Sequence, residues 1–99
     1  MRVSSRKILE WVSDEFKTSP DELKGNGRCR SISLARTVAM SIVYNELFYS
    51  LHQTGMIFNR QHSTVYTNMV NLPKRIERYP SLRGKIENVT KRLNEYRNR

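Results

Sequence analysis

Ninety-nine residues allow one domain with one modest core, and 37% hydrophobic against 27% charged residues is a globular rather than a disordered balance. Eighteen Lys and Arg against nine Asp and Glu give a net charge of +9, which suits a polyanionic partner such as nucleic acid or an acidic membrane surface. The single cysteine, Cys29, excludes an internal disulfide, no apolar run approaches a membrane span, and the first residues lack the hydrophobic segment of a signal peptide. A soluble cytoplasmic protein without a membrane partner is expected.

In chain order, Ile8, Trp11, Val12 and Phe16 fall at helical spacing and predict a first helix over about residues 4–16. Ser19-Pro20-Asp21-Glu22 has the pattern of a helix start: Ser19 as cap, Pro20 in the first position, Glu22 closing a capping box. Gly25-Asn26-Gly27 ends that short helix, and Lys24, Arg28 and Arg30 make the break a basic loop. Ser31 or Ser33 is expected to cap a long helix to about Leu47, in which the small Ala35 and Ala39 permit close packing. Ser50 opens a short helix with Leu51, Ile57 and Phe58 inward, and a further helix starts near Gln61 and is expected to stop before Pro73. After Tyr79-Pro80-Ser81, the residues Leu82, Ile86, Val89, Leu93 and Tyr96 define the last helix. No segment alternates as a strand does. The expected fold is all-α, a compact bundle of about six helices forming one domain over residues 1–99.

The chemistry concentrates between two apolar helix signals, at Asn59-Arg60-Gln61-His62-Ser63-Thr64. Arg, Gln, His, Ser and Thr side chains reach base edges and phosphates, and a helix-turn-helix sets the first residues of its second helix against the major groove. The bland alternative makes His62 an interior histidine, three residues before the apolar Val65. Other chemistries find little support. Gly25-Asn26-Gly27-Arg28 lacks the Lys-Ser/Thr end of a P-loop. Cys29, His52 and His62 match no zinc spacing, and no nucleophile–base pair is legible. The carboxylates Asp14, Glu15, Asp21 and Glu22 suit capping and solvation. Hence no enzyme, no metal, no cofactor and no small-molecule substrate are expected. The last helix reads as core packing rather than as a dimer seam, because its stripe covers only about two heptads.

Together, Asp21-Glu22-Leu23, Arg30-Ser31-Ile32, Ala35-Arg36, Ala39-Met40 and Arg60-Gln61-His62-Ser63-Thr64-Val65 resemble the C-terminal DNA-binding domain (domain IV) of DnaA, the bacterial chromosomal replication initiator. The resemblance runs from about Ile8 to Leu93. It implies an all-helical domain that reads double-stranded DNA as a monomer through a helix-turn-helix. It implies that His62 and Ser63 contact bases, that Thr64 supports them from the phosphate side, and that Arg36 reaches into the minor groove. The basic loop from Lys24 through Arg28 to Arg30 is implied to follow phosphates. With charge considered, Arg60 joins the phosphate contacts, and Gln61 joins the base contacts.

The sequence departs from that family in three places. Gln61 stands where Asp is usual, the turn at Asn59-Arg60 is one residue shorter, and Leu34 occupies an often basic position. It also has no counterpart of the family's ATPase domain, so these residues by themselves are expected to bind DNA without an ATP switch. The implied function is origin-type, sequence-specific duplex binding in the nucleoid. The alternatives are a protein-interaction module using Tyr44, Phe48 and Tyr49 or the last helix, a transcriptional regulator of a mobile element on the same fold, and an RNA binder, which the A-form major groove disfavours.

Overall fold

In a computed structural model that describes residues 3–25, 27 and 29–98, the chain folds into α1 (Ser5–Phe16), α2 (Pro20–Lys24), α3 (Arg30–Leu47), α4 (Leu51–Phe58), α5 (His62–Arg78) and α6 (Ser81–Arg97). No strand forms among the described residues. The all-α expectation holds.

Helix α3 is the axis of the core. It packs against α1, α2, α4 and α5, while α6 closes the other side of α1 and touches α5. Ala35 and Ala39 are fully buried, and their missing bulk lets neighbouring helices approach closely. Ile8, Val12, Leu23, Val38, Met40, Val43, Phe58, Val65, Val89 and Leu93 fill the space around them without exposure. The α6 stripe is therefore core, with Trp11 and Tyr96 meeting edge to face at 5.6 Å between ring centres. Leu51 and Ile57 are only half-buried, whereas Phe58 is fully inside.

Local caps set the starts of three helices. Ser4 accepts from the Lys7 N–H and Ser19 from the Glu22 N–H. Ser50 and Gln53 form a complete capping box. The box at α2 is half made, because Glu22 Oε1 takes the Ser19 hydroxyl rather than its backbone N–H. The start of α3 differs from expectation. Cys29 holds the cap position without a side-chain cap, and Ser31 and Ser33 lie inside the first turn. Their hydroxyls have other partners, Cys29 Sγ at 3.3 Å and Arg75 Nη1 at 3.4 Å.

A larger correction concerns α5, which does not stop before Pro73 but runs through it to Arg78. A proline inside a helix removes one backbone bond at a cost of roughly 3 kcal/mol. Here Leu72, buried, and Ile76, packed on the core, hold the helix on both sides of the gap. Pro73 itself faces solvent.

The turn between α4 and α5 is tight. Asn59 adopts a left-handed conformation at φ 55°, which Asn tolerates better than most residues, and the Arg60 N–H donates to the Gly55 carbonyl at 2.8 Å. A Cβ at Gly55 would collide with the Arg60 carbonyl. At Gly84, on α6, a Cβ would meet nothing within 4 Å. Gly55→Ala should therefore destabilise the domain by about 1–3 kcal/mol through overpacking. Gly84→Ala should stabilise it by about 0.5–1 kcal/mol through helix propensity. Thermal unfolding of the two variants should shift in opposite directions; parallel shifts would refute the tight-turn account.

Candidate nucleic-acid interface

The α4–turn–α5 unit ends in an exposed polar tip. Gln61 is the N-cap residue of α5 in extended conformation, and its side chain makes no cap bond, so the amide is left for other partners. The Gln61 carbonyl accepts from the Thr64 and Val65 N–H groups at 3.0 and 3.2 Å. Val65 is fully buried and pins the first turn to the core. Around it Gln61, His62, Ser63 and Thr64 all face solvent, and no hydrogen bond among the described residues engages their side chains. The interior placement of His62 is thus excluded. A shallow groove lined by His52, Met56, Asn59, Gln61 and His62 runs beside the tip.

Arg36 is placed otherwise than the resemblance implied. It is 7% exposed, and its guanidinium is committed to the chain that leads into the basic loop. Nε donates to the Leu23 carbonyl at 2.8 Å, and Nη2 to those of Glu22 at 3.1 Å and Gly25 at 3.0 Å. Both terminal nitrogens also reach the Gly27 carbonyl at 3.4 Å. These carbonyls have left the helical ladder at the end of α2, and a five-donor fork can satisfy several at once. Burial, and secondarily the nearby Arg60 charge, lowers the Arg36 pKa from its ordinary value. A side chain held this way shapes the loop from beneath and does not project into a groove.

Arg60 is half-exposed and also turned toward the protein. Nη1 donates to the carbonyls of Phe58 at 3.0 Å and Asn59 at 3.3 Å, and Nη2 to that of Gly25 at 2.6 Å. The turn before α5 and the loop after α2 are therefore joined through one carbonyl oxygen. Lys24 and Arg30 are exposed at the two sides of the loop. Arg28, expected on phosphate, lies outside the described residues.

Ion pairs, rather than cations, divide by face. The three ion pairs among the described residues are Lys7–Glu10, Arg92–Asp14 and Arg97–Glu46, at 3.8, 3.4 and 3.0 Å, and none of them touches the loop or α5. Arg30, Arg36, Arg60, Arg75 and Arg78 instead have carbonyl, hydroxyl or ring partners. Their charge stays uncompensated, which is the electrostatic footprint a polyanion requires. Arg75 and Arg78 escaped sequence reasoning because Pro73 was expected to end their helix.

Two helices joined by a three-residue turn, the second opening on an exposed polar tip above a buried anchor, define a helix-turn-helix protein. Comparison with known proteins agrees. The bacterial DnaA protein helix-turn-helix family matches residues 5–70, and the chain belongs to that family. Among curated relatives, the chromosomal replication initiator protein DnaA of Thermosipho africanus is 37% identical over 71 residues, 72% of this chain and 16% of that protein. The DnaA of Lachnoclostridium phytofermentans is 35% identical over 88 residues, 88% of this chain and 19% of that protein. The DnaA of Deinococcus radiodurans is 28% identical over 92 residues, 93% of this chain and 20% of that protein. The chain thus spans a fifth or less of the length of these relatives. No helix of the described residues is long and apolar enough to cross a membrane.

The contrast between Arg36 and His62 is measurable in the free protein. Arg36→Met should cost about 1–3 kcal/mol, because the buried Leu23 carbonyl loses the Arg36 donor and the guanidinium bonds to the loop carbonyls are lost with it. His62→Ala should stay within about 0.5 kcal/mol of the unmodified protein, as an exposed substitution does. Chemical denaturation checks both, and a large loss at His62 would return it to the core.

Proposed function

We propose that this chain is a sequence-specific double-stranded DNA-binding domain that docks as a monomer, with the first turn of α5 in the major groove. The observation that carries the reading is the exposure of Gln61, His62 and Ser63, whose side chains make no hydrogen bond among the described residues, on a helix start fixed by buried Val65. Membership in the DnaA helix-turn-helix family supports it. Gln61, His62 and Ser63 read base edges. Thr64, Lys24, Arg28 and Arg30 hold phosphates. Arg60 ties the turn to the loop and adds its charge beside the backbone. Arg36 supports the loop from below.

The relatives are named chromosomal replication initiators, and we extend to this chain the origin-binding share of that task. Its place in the cell is then the nucleoid. The tip residues do binding chemistry.

Gln61 sets one base preference. A carboxylate there accepts from cytosine N4, whereas an amide pairs with adenine N7 and N6 in a bidentate contact. Selection from random duplexes should give adenine at that position for the unmodified protein and cytosine for Gln61→Asp. Identical selections would remove Gln61 from base reading. Neutralising about four to six phosphates should make log K fall against log salt with a slope near −4 to −5. A flat salt dependence would refute duplex binding and favour a protein-interaction module, for which Phe48, 89% exposed, is the opening.

A further inference from the structure

Where the start of α3 meets the end of α5, three guanidinium groups converge. Arg30 and Arg78 lie over the same Tyr79 ring, Cζ 5.7 and 5.6 Å from its centroid, which caps the separation of the two charges at the sum of those distances. Arg75 Nη1 donates to Ser33 Oγ at 3.4 Å and Thr37 Oγ1 at 3.3 Å, one and two turns beyond Arg30 on α3. The partners are a ring and two hydroxyls, none of them negative. Glu77, next to Arg78, enters none of the three ion pairs among the described residues. Like charges gathered this way repel, and an anion between them is stabilised. The ring contacts also limit the freedom of two long side chains, which lowers the entropy lost on binding.

We propose that this corner is a second phosphate-binding site for the same duplex, with Arg78 and Arg75 as its contacts and Tyr79 as their platform. The proposal rests on the duplex reading, in which Arg30 holds a phosphate. The Arg30 and Arg78 charges lie within roughly one Debye length of each other, ~10 Å at 0.1 M salt. Along α5 the corner sits roughly 24 Å from the tip, less than one ~34 Å turn of duplex, so one duplex spans both ends. The corner makes no base contact. It adds affinity without sequence preference.

Arg78 is exposed, so its substitution leaves the fold intact. Arg78→Gln and Arg78→Lys are titrated against a selected duplex and a random duplex of equal length, between 50 and 200 mM salt. Arg78→Gln should weaken both complexes by the same factor and reduce the salt slope by about 0.9, making the fall in affinity over that range about threefold shallower. Arg78→Lys, which keeps the charge, should restore the slope. An unchanged slope in Arg78→Gln, a loss confined to the selected duplex, or failure of Arg78→Lys to restore the slope would each overturn the site. If the unmodified protein itself shows a flat salt dependence, the duplex reading fails and this inference with it. A steep unmodified slope that Arg78→Gln leaves unaltered overturns this inference alone.

Discussion

The Gly25 carbonyl oxygen accepts from two guanidinium groups, Arg36 Nη2 at 3.0 Å and Arg60 Nη2 at 2.6 Å. One comes from the central helix and the other from the turn before α5, so core, loop and tip share one point of attachment. Gly25 closes α2 and leads into the loop, and α2 itself is only five residues long. So short a helix has little stability of its own. It is held by buried Leu23 and by Arg36, whose fork donates to the Leu23 and Glu22 carbonyls at the end of the helix. The close approach at Gly55 completes the arrangement by fixing where Arg60 emerges. Two buried or half-buried positive charges side by side are unfavourable in isolation. Carbonyl dipoles solvate them here, and a bound polyanion would complete the compensation.

Charge is distributed unevenly around this anchor. Arg92 and Arg97 find carboxylates, and Lys85 reaches the Glu15 carbonyl at 3.3 Å and stacks on Phe16. All three ion pairs among the described residues take their cation from α1 or α6, so that side of the molecule is partly paired internally, although Arg6, Lys17, Arg83 and Lys91 enter none of them. The side built from the loop, the start of α3 and α5 is not. Exposed ion pairs add little to stability, so the division bears on which partner the surface attracts more than on folding. An even scatter of ion pairs would have carried no such implication.

Features fixed by neighbours in the chain were legible from sequence. Ser19 and Ser50 cap because each needs only a backbone N–H three residues on. The stripes of α1 and α6 follow from their spacing, and the polar tip at Gln61 to Thr64 stands where the patterning set it. Features fixed across the fold were not legible. Pro73 is a helix breaker by local rules, yet Leu72 and Ile76 hold α5 together through packing that no local rule contains. Arg36 was expected in the minor groove, and spacing does not separate an exposed guanidinium from a buried one; its acceptors lie nine to fourteen residues earlier. The Arg30–Tyr79–Arg78 corner needs the antiparallel approach of α3 and α5, visible only once Arg75 meets Ser33 and Thr37.

The central claim is that one face, containing the tip of α5 and the loop after α2, receives duplex DNA while the α1–α6 face stays free. Titrating isotopically labelled protein with a selected duplex and following each backbone amide by NMR tests it most directly. The account predicts shifts concentrated at residues 24–30, 61–64 and 75–79, with the solvent-facing amides of α1 and α6 unmoved. Shifts gathered on α1 and α6, with His62 and Ser63 unperturbed, would contradict it.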